Sequence, residues 1–239
     1  LVSLNIMNNN KKVLALKYRP QTFEDLIGQS LIAETISNSI KAKKSPNAYL
    51  FTGIRGVGKT TIARIVAKAL NCQNGIENLC KEKMCEHCKA ITNSNHIDVL
   101  EMDAASRTGV DDIRELIEGV RYLPTLGQFK IYIIDEIHML SVNAFNALLK
   151  TLEEPPPRVK FIFATTEVRK IPVTVLSRCQ RVDLRRVQTQ QLVEHLQFIS
   201  EKEGQEIETE AVFLIARAAD GSVRDGLSLL DQIISNGLN

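Results

Sequence analysis

An eight-residue segment near the start of the chain constrains its fold more than any other. It runs from Gly53 to Thr60 and reads GIRGVGKT, which matches the phosphate-binding pattern G-x-x-x-x-G-K-[ST]. The segment follows an apolar run at 48–52, and apolar residues recur at helical spacing after it. A buried parallel strand, a glycine-rich turn and a helix in this order predict an α/β fold that binds phosphate groups.

The residue types in this loop explain how it would hold a polyphosphate. Glycines allow backbone N–H groups to point at phosphate oxygens, and the following helix N-terminus adds partial positive charge. Lys59 is expected to reach the β- and γ-phosphates, and the Thr60 hydroxyl is expected to hold Mg²⁺. The residues of this segment that we expect to contact nucleotide are Gly53, Gly56, Val57, Gly58, Lys59, Thr60 and Thr61.

A second apolar run, KIYII at 130–134, delivers two adjacent carboxylates, Asp135 and Glu136. Ligands of open parallel sheets bind at the carboxyl ends of the strands, so both groups should face the phosphate loop. We expect Asp135 to hold Mg²⁺ through its waters and Glu136 to orient and polarise the water that attacks the phosphate.

Three further turns carry polar residues that suit a nucleotide site. The strand at 159–166 ends in Thr165 and Thr166, which would lie beside the γ-phosphate or only cap the strand end. Arg178, in the turn LSRC, could reach the phosphate of a neighbouring subunit, although an isolated arginine is more often a surface charge. The turn at 106–109 is either a capped loop or a basic turn that faces a polyphosphate partner.

Four of the five cysteines are clustered between 72 and 88, with the spacing C-x7-C-x4-C-x2-C. Four thiolates satisfy tetrahedral Zn²⁺, and C-x2-C is a common chelating pair, so this insert predicts a structural zinc site rather than unligated thiols. His87 could replace one thiolate. The predicted zinc ligands are Cys72, Cys80, Cys85 and Cys88.

The distribution of polar and apolar residues divides the chain into three parts. Residues 1–12 read as a disordered extension, with Met7 as an alternative start, and residues 13–187 as the nucleotide-binding domain. After Val187 only helical patterns remain, so 188–239 predicts a small three-helix domain. Arg224 falls in the first turn of its last helix, where a cation opposes the helix dipole, and this placement indicates a bound anion such as phosphate.

Composition excludes some classes of protein. The net charge of +2 provides no overall field that would recruit nucleic acid, so any DNA contact must come from a local basic surface. No apolar run approaches the length of a membrane span, and the first residues lack a signal-peptide pattern. We therefore expect a cytoplasmic protein.

Taken together, these motifs resemble the gamma/tau subunits of bacterial DNA polymerase III, the ATPases of the sliding-clamp loader. The resemblance covers nearly the whole chain from Val13 onward, and the cysteine insert, DAASR and SRC are its more specific parts. The segments that carry it, in order, are YRPQTFEDLIGQ, GIRGVGKT, the four cysteines, DAASRTGVDDIRE, IYIIDEIHMLS, FNALLKTLEEPP, ATT, LSRC and GSVRDGLSLLDQ.

The resemblance implies a AAA+ module: a P-loop ATPase domain with a parallel five-stranded sheet and a zinc-binding insert, followed by a three-helix lid. It implies that ATP binds between domain and lid, and that Asp135 and Glu136 form the Walker B pair. By the same resemblance, Thr166 corresponds to sensor 1, Arg224 to sensor 2, and Arg178 to an arginine finger that acts on the next subunit. The segment implied to lie beside adenine is Tyr18, Arg19 and Pro20, which otherwise reads as an entry loop packed on the core.

The family also implies partners: other clamp-loader subunits in a hetero-oligomeric ring, the sliding clamp, primer–template DNA, and the polymerase core through a C-terminal region. Two departures stand out. The family pattern has two residues between its second and third cysteines where this chain has four, and the family continues into a collar domain beyond Asn239.

Two other classes of function compete with a clamp-loader ATPase. A non-hydrolysing scaffold would use nucleotide and zinc only for stability, but it would not need Glu136, Arg178 and Arg224. A Holliday-junction or helicase-type AAA+ motor would share the phosphate loop, but the cysteine insert argues against it.

Overall fold

A five-stranded parallel sheet forms the centre of the computed structural model, which describes residues 13–106 and 110–237. The strands stand in the order β2-β3-β4-β1-β5, and every neighbouring pair is parallel. The predicted α/β fold with a parallel five-stranded sheet is therefore confirmed. The strands are β1 (Ala48–Thr52), β2 (Val99–Asp103), β3 (Lys130–Asp135), β4 (Val159–Thr165) and β5 (Gln180–Asp183).

Helices cover both faces of this sheet. The side chains of β1 point alternately to opposite faces of the sheet: Tyr49 and Phe51 pack in one apolar cluster, and Ala48 and Leu50 in the other. The helices of the described chain are α1 (Leu14–Lys17), α2 (Ser30–Lys41), α3 (Lys59–Asn71), α4 (Glu86–Thr92), α5 (Val110–Val120), α6 (Val142–Glu153), α7 (Val173–Leu176), α8 (Thr189–Lys202), α9 (Thr209–Ala218) and α10 (Val223–Asn236). Between residues 13 and 106 and between 110 and 237, no helix has the length and apolar character that a membrane span requires.

The last three helices form a separate apolar cluster, as the change of pattern after Val187 predicts. Leu192, Leu196 and Leu230 are fully buried in it. The cluster also includes Leu14 of α1, so a residue from the start of the described chain completes the core of the helical unit.

Several element boundaries differ from the sequence-based expectations. The sequence pattern predicts a last strand at 182–186, but β5 spans Gln180–Asp183 because this polar edge strand pairs with β1 through its backbone. Apolar residues at helical spacing predict a helix over 30–43, but α2 ends at Lys41, and Lys43 has a left-handed φ of 56°. The Asn, Gly, Lys and Glu residues between the cysteines predict a loop at 72–88, but the insert contains a 3₁₀ turn and the first residues of α4.

The apolar pattern predicts a strand over 96–102, but β2 begins at Val99. The residue before it, Asp98, instead binds the backbone of a neighbouring loop. Asp98 is 1% exposed, and its carboxylate accepts hydrogen bonds from the backbone N–H groups of Thr125, Leu126 and Gly127 at 2.7–2.8 Å. Burial alone would raise the pKa of Asp98, but these N–H donors outweigh it and lower the pKa. One buried carboxylate thus fixes the loop that enters β3.

Replacing this carboxylate should destabilise the chain. We expect Asp98→Ala to lower the free energy of unfolding by about 2–4 kcal/mol at pH 7, because three N–H donors lose a charged acceptor. Urea unfolding followed by circular dichroism measures the change. Asp98→Asn, which keeps one acceptor oxygen, should lose less.

The same interaction has a pH dependence of defined sign. Because folding lowers the pKa of Asp98, its stabilisation is present above the unfolded pKa of about 3.9 and is lost as the pH falls through the folded value. The stability difference between wild type and Asp98→Ala should therefore shrink in acid. A difference that is independent of pH would contradict the role assigned to the carboxylate.

Candidate nucleotide site and cysteine cluster

A cavity of about 980 Å³ lies at the carboxyl end of the sheet, between the phosphate loop and the first turns of α10. Every residue predicted to bind nucleotide lines this cavity except Gly53 and Thr165, and Glu136 lines it as well. Gly53 is the first residue of the loop, and its carbonyl accepts a hydrogen bond from Lys59 Nζ at 3.0 Å. The lining residues from the predicted set are Tyr18, Arg19, Pro20, Gly56, Val57, Gly58, Lys59, Thr60, Thr61, Asp135, Thr166 and Arg224.

The phosphate loop adopts the backbone conformation that its glycines permit. Gly56 and Gly58 have φ values of 77° and 111°, and α3 begins immediately after Gly58. Lys59 is 5% exposed, and its ammonium group donates to the carbonyls of Gly53 and Ile54. Burial lowers the pKa of Lys59, and the nearby carboxylates of Glu136 and Asp135 partly offset this effect. A bound polyphosphate would bring anionic oxygens to this buried cation.

Two oxygen ligands for a hard cation meet at the start of α3. The Thr60 hydroxyl donates a short hydrogen bond to Asp135 Oδ2, and both residues line the cavity. Hydroxyl, carboxylate, water and phosphate oxygens are the ligands that Mg²⁺ prefers. Thr60 and Asp135 therefore fit a magnesium site between the phosphate loop and β3.

Glu136 follows Asp135 in a left-handed conformation, with φ of 47°, which turns its side chain toward the end of β4. Its Oε2 atom accepts hydrogen bonds from the backbone N–H and the hydroxyl of Thr166, at 3.1 and 2.9 Å. His138 Nδ1 lies 3.3 Å from the same oxygen and 2.9 Å from Thr165 Oγ1. The two threonines and His138 thus hold the carboxylate at the cavity wall, a link that the sequence pattern did not reveal.

The lid contributes Arg224 and contacts the phosphate loop directly. The backbone N–H of Arg224 donates to the Gly56 carbonyl at 3.2 Å. Ser222 caps α10 by accepting a hydrogen bond from the Asp225 N–H at 3.2 Å. The start of α10 therefore packs against the loop, and the Arg224 side chain faces the cavity.

The segment before Thr22 also lines the cavity. Arg19 Nε donates to Thr61 Oγ1 at 3.1 Å, and burial together with Arg64 lowers the pKa of Arg19 to about 10. Tyr18 donates a short hydrogen bond to Glu203 of the helical unit. Burial, followed by this hydrogen bond, raises the pKa of Tyr18 to about 12. The segment therefore lies in the cavity wall, as expected for an adenine-side segment.

Sequence reasoning missed several residues that line this cavity. Leu16, Ile27 and Leu227 give it an apolar side that suits a flat ring, but their patterns indicate only core packing. Asp103 was also missed, although a signal existed: it ends β2 and pairs in register with Asp135 at the same edge of the sheet.

One predicted site residue, Arg178, lies elsewhere in the described chain. Arg178 does not line the cavity; it donates to the Thr174 carbonyl at 2.5 Å and pairs with Glu153 at 2.5 Å. Its expected role concerns a neighbouring subunit, so its position in one chain does not test that role. Arg107 and Thr108, the basic part of the turn at 106–109, lie outside the described residues.

The structure brings the four predicted cysteine ligands together. The sulfurs of Cys72, Cys80, Cys85 and Cys88 lie within 4.8 Å of one another, and those of Cys72 and Cys80 are 3.5 Å apart. Tetrahedral zinc with Zn–S bonds of about 2.3 Å requires sulfur separations of about 3.8 Å, so the donor set fits this ion. His87 instead pairs with His96, its Nδ1 lying 2.7 Å from His96 Nε2. Cys80, and not His87, is therefore the fourth member of the cluster.

Comparison with solved structures defines the fold. RuvB from Thermotoga maritima, titled a Holliday junction branch migration motor, matches with a TM-score of 0.69 at 19% identity, covering 91% of this chain and 65% of that chain. A second Thermotoga maritima RuvB structure, the K64R mutant, gives a TM-score of 0.69 over 92% of this chain and 66% of its own, also at 19% identity. The chain has the fold of a AAA+ P-loop ATPase.

Sequence comparison defines the family. The family model described as DNA polymerase III, delta subunit, matches residues 28–188, and that of the DNA polymerase III clamp loader subunit, ATPase lid domain, matches 191–239. The DNA polymerase III subunit tau/gamma of Haemophilus influenzae is 52% identical over 95% of this chain and 33% of that protein. The tau subunit of Escherichia coli is 50% identical over 95% of this chain and 35% of its own length. The chain belongs to the gamma/tau family of DNA polymerase III clamp-loader subunits.

The chain spans only part of these relatives. It covers about a third of the two proteins just named and 61% of the DNA polymerase III subunit gamma of Buchnera aphidicola subsp. Baizongia pistaciae, to which it is 50% identical over 95% of its length.

The contact between loop and lid yields a prediction. A Cβ atom at Gly56 would lie 2.1 Å from Ser222 Oγ and 3.1 Å from Arg224 Cβ, so Gly56→Ala would force the start of α10 away from the loop. We expect this variant to lose about 2–4 kcal/mol of stability, measured by thermal or urea unfolding.

Gly204→Ala is the matched control for backbone strain. Gly204 also has a positive φ, 70°, but a Cβ there meets nothing within 4 Å. It should therefore lose only the strain term of about 1 kcal/mol. Equal losses in the two variants would show that Gly56 serves conformation alone and not contact with the lid.

Proposed function

We propose that this chain is an ATP-binding and ATP-hydrolysing motor subunit of the DNA polymerase III clamp loader, which loads the sliding clamp onto primed DNA during replication. The observation that carries the proposal is the convergence of Lys59, Thr60, Asp135, Glu136 and Arg224 on one cavity between sheet and lid. A scaffold that only bound nucleotide would have no use for Glu136 beside the phosphate site.

The proposed division is an ATPase domain at 13–187 with its cysteine insert at 72–88, and a lid at 188–239. In this division ATP binds between the two units, with its polyphosphate on the phosphate loop and its base between the segment 18–20 and α10. Because Arg224 belongs to the lid and Lys59 to the loop, a bound triphosphate would hold the two units together.

Each side chain has a chemical task in this mechanism. Lys59 neutralises phosphate charge, and Thr60 and Asp135 hold Mg²⁺, which supplies charge stabilisation on the phosphate oxygens when it is bound. Glu136 orients and polarises the attacking water, acting as a general base toward its proton. The N–H and hydroxyl of Thr166 fix the Glu136 carboxylate, so Thr166 couples the end of β4 to the position of the water.

Arg178 is the residue that would make hydrolysis depend on assembly. It lies outside the cavity of its own chain, as an arginine that serves the next subunit must. An arginine supplied in trans stabilises transition-state charge and typically contributes 10³–10⁵ in rate. In the proposed cycle, nucleotide binding orders a ring of clamp-loader subunits, primed DNA triggers hydrolysis, and hydrolysis releases the clamp.

The other proposed partners follow from the family. Primer–template DNA would be held mainly through its phosphates, so binding should weaken as salt rises. The polymerase core would attach through the C-terminal region of a longer gamma/tau chain. We propose a cytoplasmic location, at the replication fork.

We further propose a structural zinc ion bound by Cys72, Cys80, Cys85 and Cys88. The four close sulfurs support this proposal. Burial and the neighbouring Cys72 and Cys85 sulfurs also raise the pKa of Cys88, so a cluster of thiolates is disfavoured unless a cation binds to it. All four positions of a tetrahedral ion are taken by protein ligands, so the site would stabilise the insert and take no part in hydrolysis.

A rate measurement tests the motor proposal. The chain is mixed with the other clamp-loader subunits, clamp and primed DNA, and phosphate release is followed. Glu136→Gln should keep nucleotide binding and lose hydrolysis by more than about 100-fold. Arg178→Ala should keep binding and lose DNA- and clamp-stimulated hydrolysis by about 10³-fold or more.

Arg181→Ala is the control for loss of a surface arginine. Arg181 pairs with Asp183 at 2.6 Å on the edge strand, away from the cavity, and its loss should leave the rate near that of wild type. Nucleotide binding without stimulation, or a rate that is indifferent to Arg178, would favour a scaffold.

Metal analysis tests the zinc proposal. The purified chain should hold one zinc ion, and Cys88→Ser should lose it while the nucleotide fold is retained, as judged by circular dichroism. Cys179→Ser is the matched control, because Cys179 packs in the core and lies outside the four-sulfur cluster. Full zinc content in a variant with all four clustered cysteines replaced by serine would refute the site.

A further inference from the structure

A buried lysine connects the cysteine cluster to the wall of the nucleotide cavity. Lys68 lies in α3 and is 1% exposed. Its ammonium group donates to the Cys80 carbonyl at 3.2 Å, to the Gln21 carbonyl at 2.8 Å and to Gln21 Oε1 at 3.2 Å. One side chain thus contacts both a cysteine ligand and the residue that follows Pro20.

From Gln21 the connection continues into the cavity. Gln21 Nε2 donates to the Arg19 carbonyl at 3.0 Å, and Arg19 Nε donates to Thr61 Oγ1 at 3.1 Å. Arg19 and Thr61 both line the cavity. The path from the cysteine cluster to the nucleotide site therefore consists of Lys68, Gln21 and Arg19, each in hydrogen-bond contact with the next.

Two further contacts tie the same segment to the cysteine insert. Thr92, at the end of the helix that carries Cys88, donates to Gln21 Oε1 at 3.2 Å. Lys81, next to Cys80, pairs with Asp25 at 2.5 Å. The Asp25 carboxylate in turn accepts from the Gln21 N–H at 3.2 Å. Thr92 thus contacts Gln21 directly, and Lys81 of the insert is linked to it through Asp25.

The electrostatics of Lys68 favour the same connection. Zn²⁺ with four thiolates carries a formal charge of −2, since four negative ligands exceed the charge of the ion. A buried ammonium beside such a site acts as its counter-charge, whereas the same ammonium beside neutral thiols is less well compensated. The presence of metal should therefore stabilise the position of Lys68 and, through it, that of Gln21.

We propose that Gln21 and Lys68 are positioning residues through which metal bound at the cysteine cluster raises the affinity of the chain for nucleotide. The inference rests on the proposed nucleotide and zinc sites and adds a coupling between them. Because coupling between two ligands is reciprocal, nucleotide should also strengthen the retention of metal.

The experiment measures nucleotide affinity in two metal states of the full chain. Binding of a fluorescent ADP analogue is titrated with zinc-loaded protein and with protein stripped by a chelator. We expect stripping to raise the Kd by about 5- to 50-fold in wild type. In Gln21→Ala and Lys68→Met the ratio of the two Kd values should fall toward one, while Gln21→Ala keeps its full zinc content.

Lys160→Met is the matched control for removing a buried lysine. Lys160 is 7% exposed and donates to the carbonyls of Ser45 and Pro46 and to Asn47 Oδ1 at 3.0–3.1 Å. It lies near the start of β4, at the end of the strand away from the cavity. It should lose stability as Lys68→Met does, but keep the wild-type ratio of Kd values.

A reciprocal measurement reads the same coupling from the metal side. The equilibrium distribution of zinc between the chain and a chromogenic chelator is measured with and without saturating ADP. Nucleotide should raise the apparent zinc affinity about 5-fold or more in wild type and leave it unchanged in Gln21→Ala.

The outcomes separate the inference from the proposed function. Absence of nucleotide binding in the zinc-loaded chain would refute the nucleotide site itself. Tight binding with equal Kd values in both metal states, and a zinc affinity that ADP does not raise, would overturn the coupling and leave the function intact. Coupling that persists in Gln21→Ala and Lys68→Met would refute the role of these two residues.

Discussion

Helix α3 and strand β3 are joined at both ends by side-chain hydrogen bonds, and the geometry of the site depends on this arrangement. At one end Thr60 bonds to Asp135. At the other, Asn71 donates to the Phe129 carbonyl at 2.9 Å and accepts from its N–H at 2.8 Å. A helix and a strand fixed at two points cannot slide past each other, so the hydroxyl and the carboxylate proposed to share Mg²⁺ stay in register.

The parallel sheet extends this constraint to the remaining groups. Strand β1 lies between β4 and β5, and its last residue, Thr52, is opposite Thr165. All strands therefore end at the same edge, where β4 presents Thr166 to Glu136. Residues far apart in the chain meet because each follows a strand directly, and the backbone ladder fixes where each strand stops. The left-handed conformation of Glu136 then directs its carboxylate sideways to β4.

Features that follow from the local residue pattern could be predicted from the sequence, and features that depend on contacts between distant segments could not. Strand β1 and the Asp135–Glu136 pair were predictable because buried parallel strands are continuous apolar runs that end in polar residues. Strand β5 was misplaced because an edge strand pairs through its backbone and its residues Gln180 and Arg181 are polar. The contact of Glu136 with Thr166 leaves no local signal, since it depends on which strands are neighbours in space. The hydrogen bonds from Lys68 could not be predicted either, because the sequence pattern does not distinguish it from a surface lysine on an amphipathic helix.

Helix α3 also provides the physical basis for the proposed coupling between the cysteine cluster and the nucleotide cavity. Lys59 and Lys68 are separated by nine residues, about 13–14 Å along a helix, and both ammonium groups are held by backbone carbonyls. The first carbonyls belong to the phosphate loop and the second to Gln21 and Cys80. Burying a second cation costs free energy unless its acceptors are well fixed. The cysteine insert provides one of those acceptors, so the order of the insert and the order of the segment at 19–21 depend on the same buried charge.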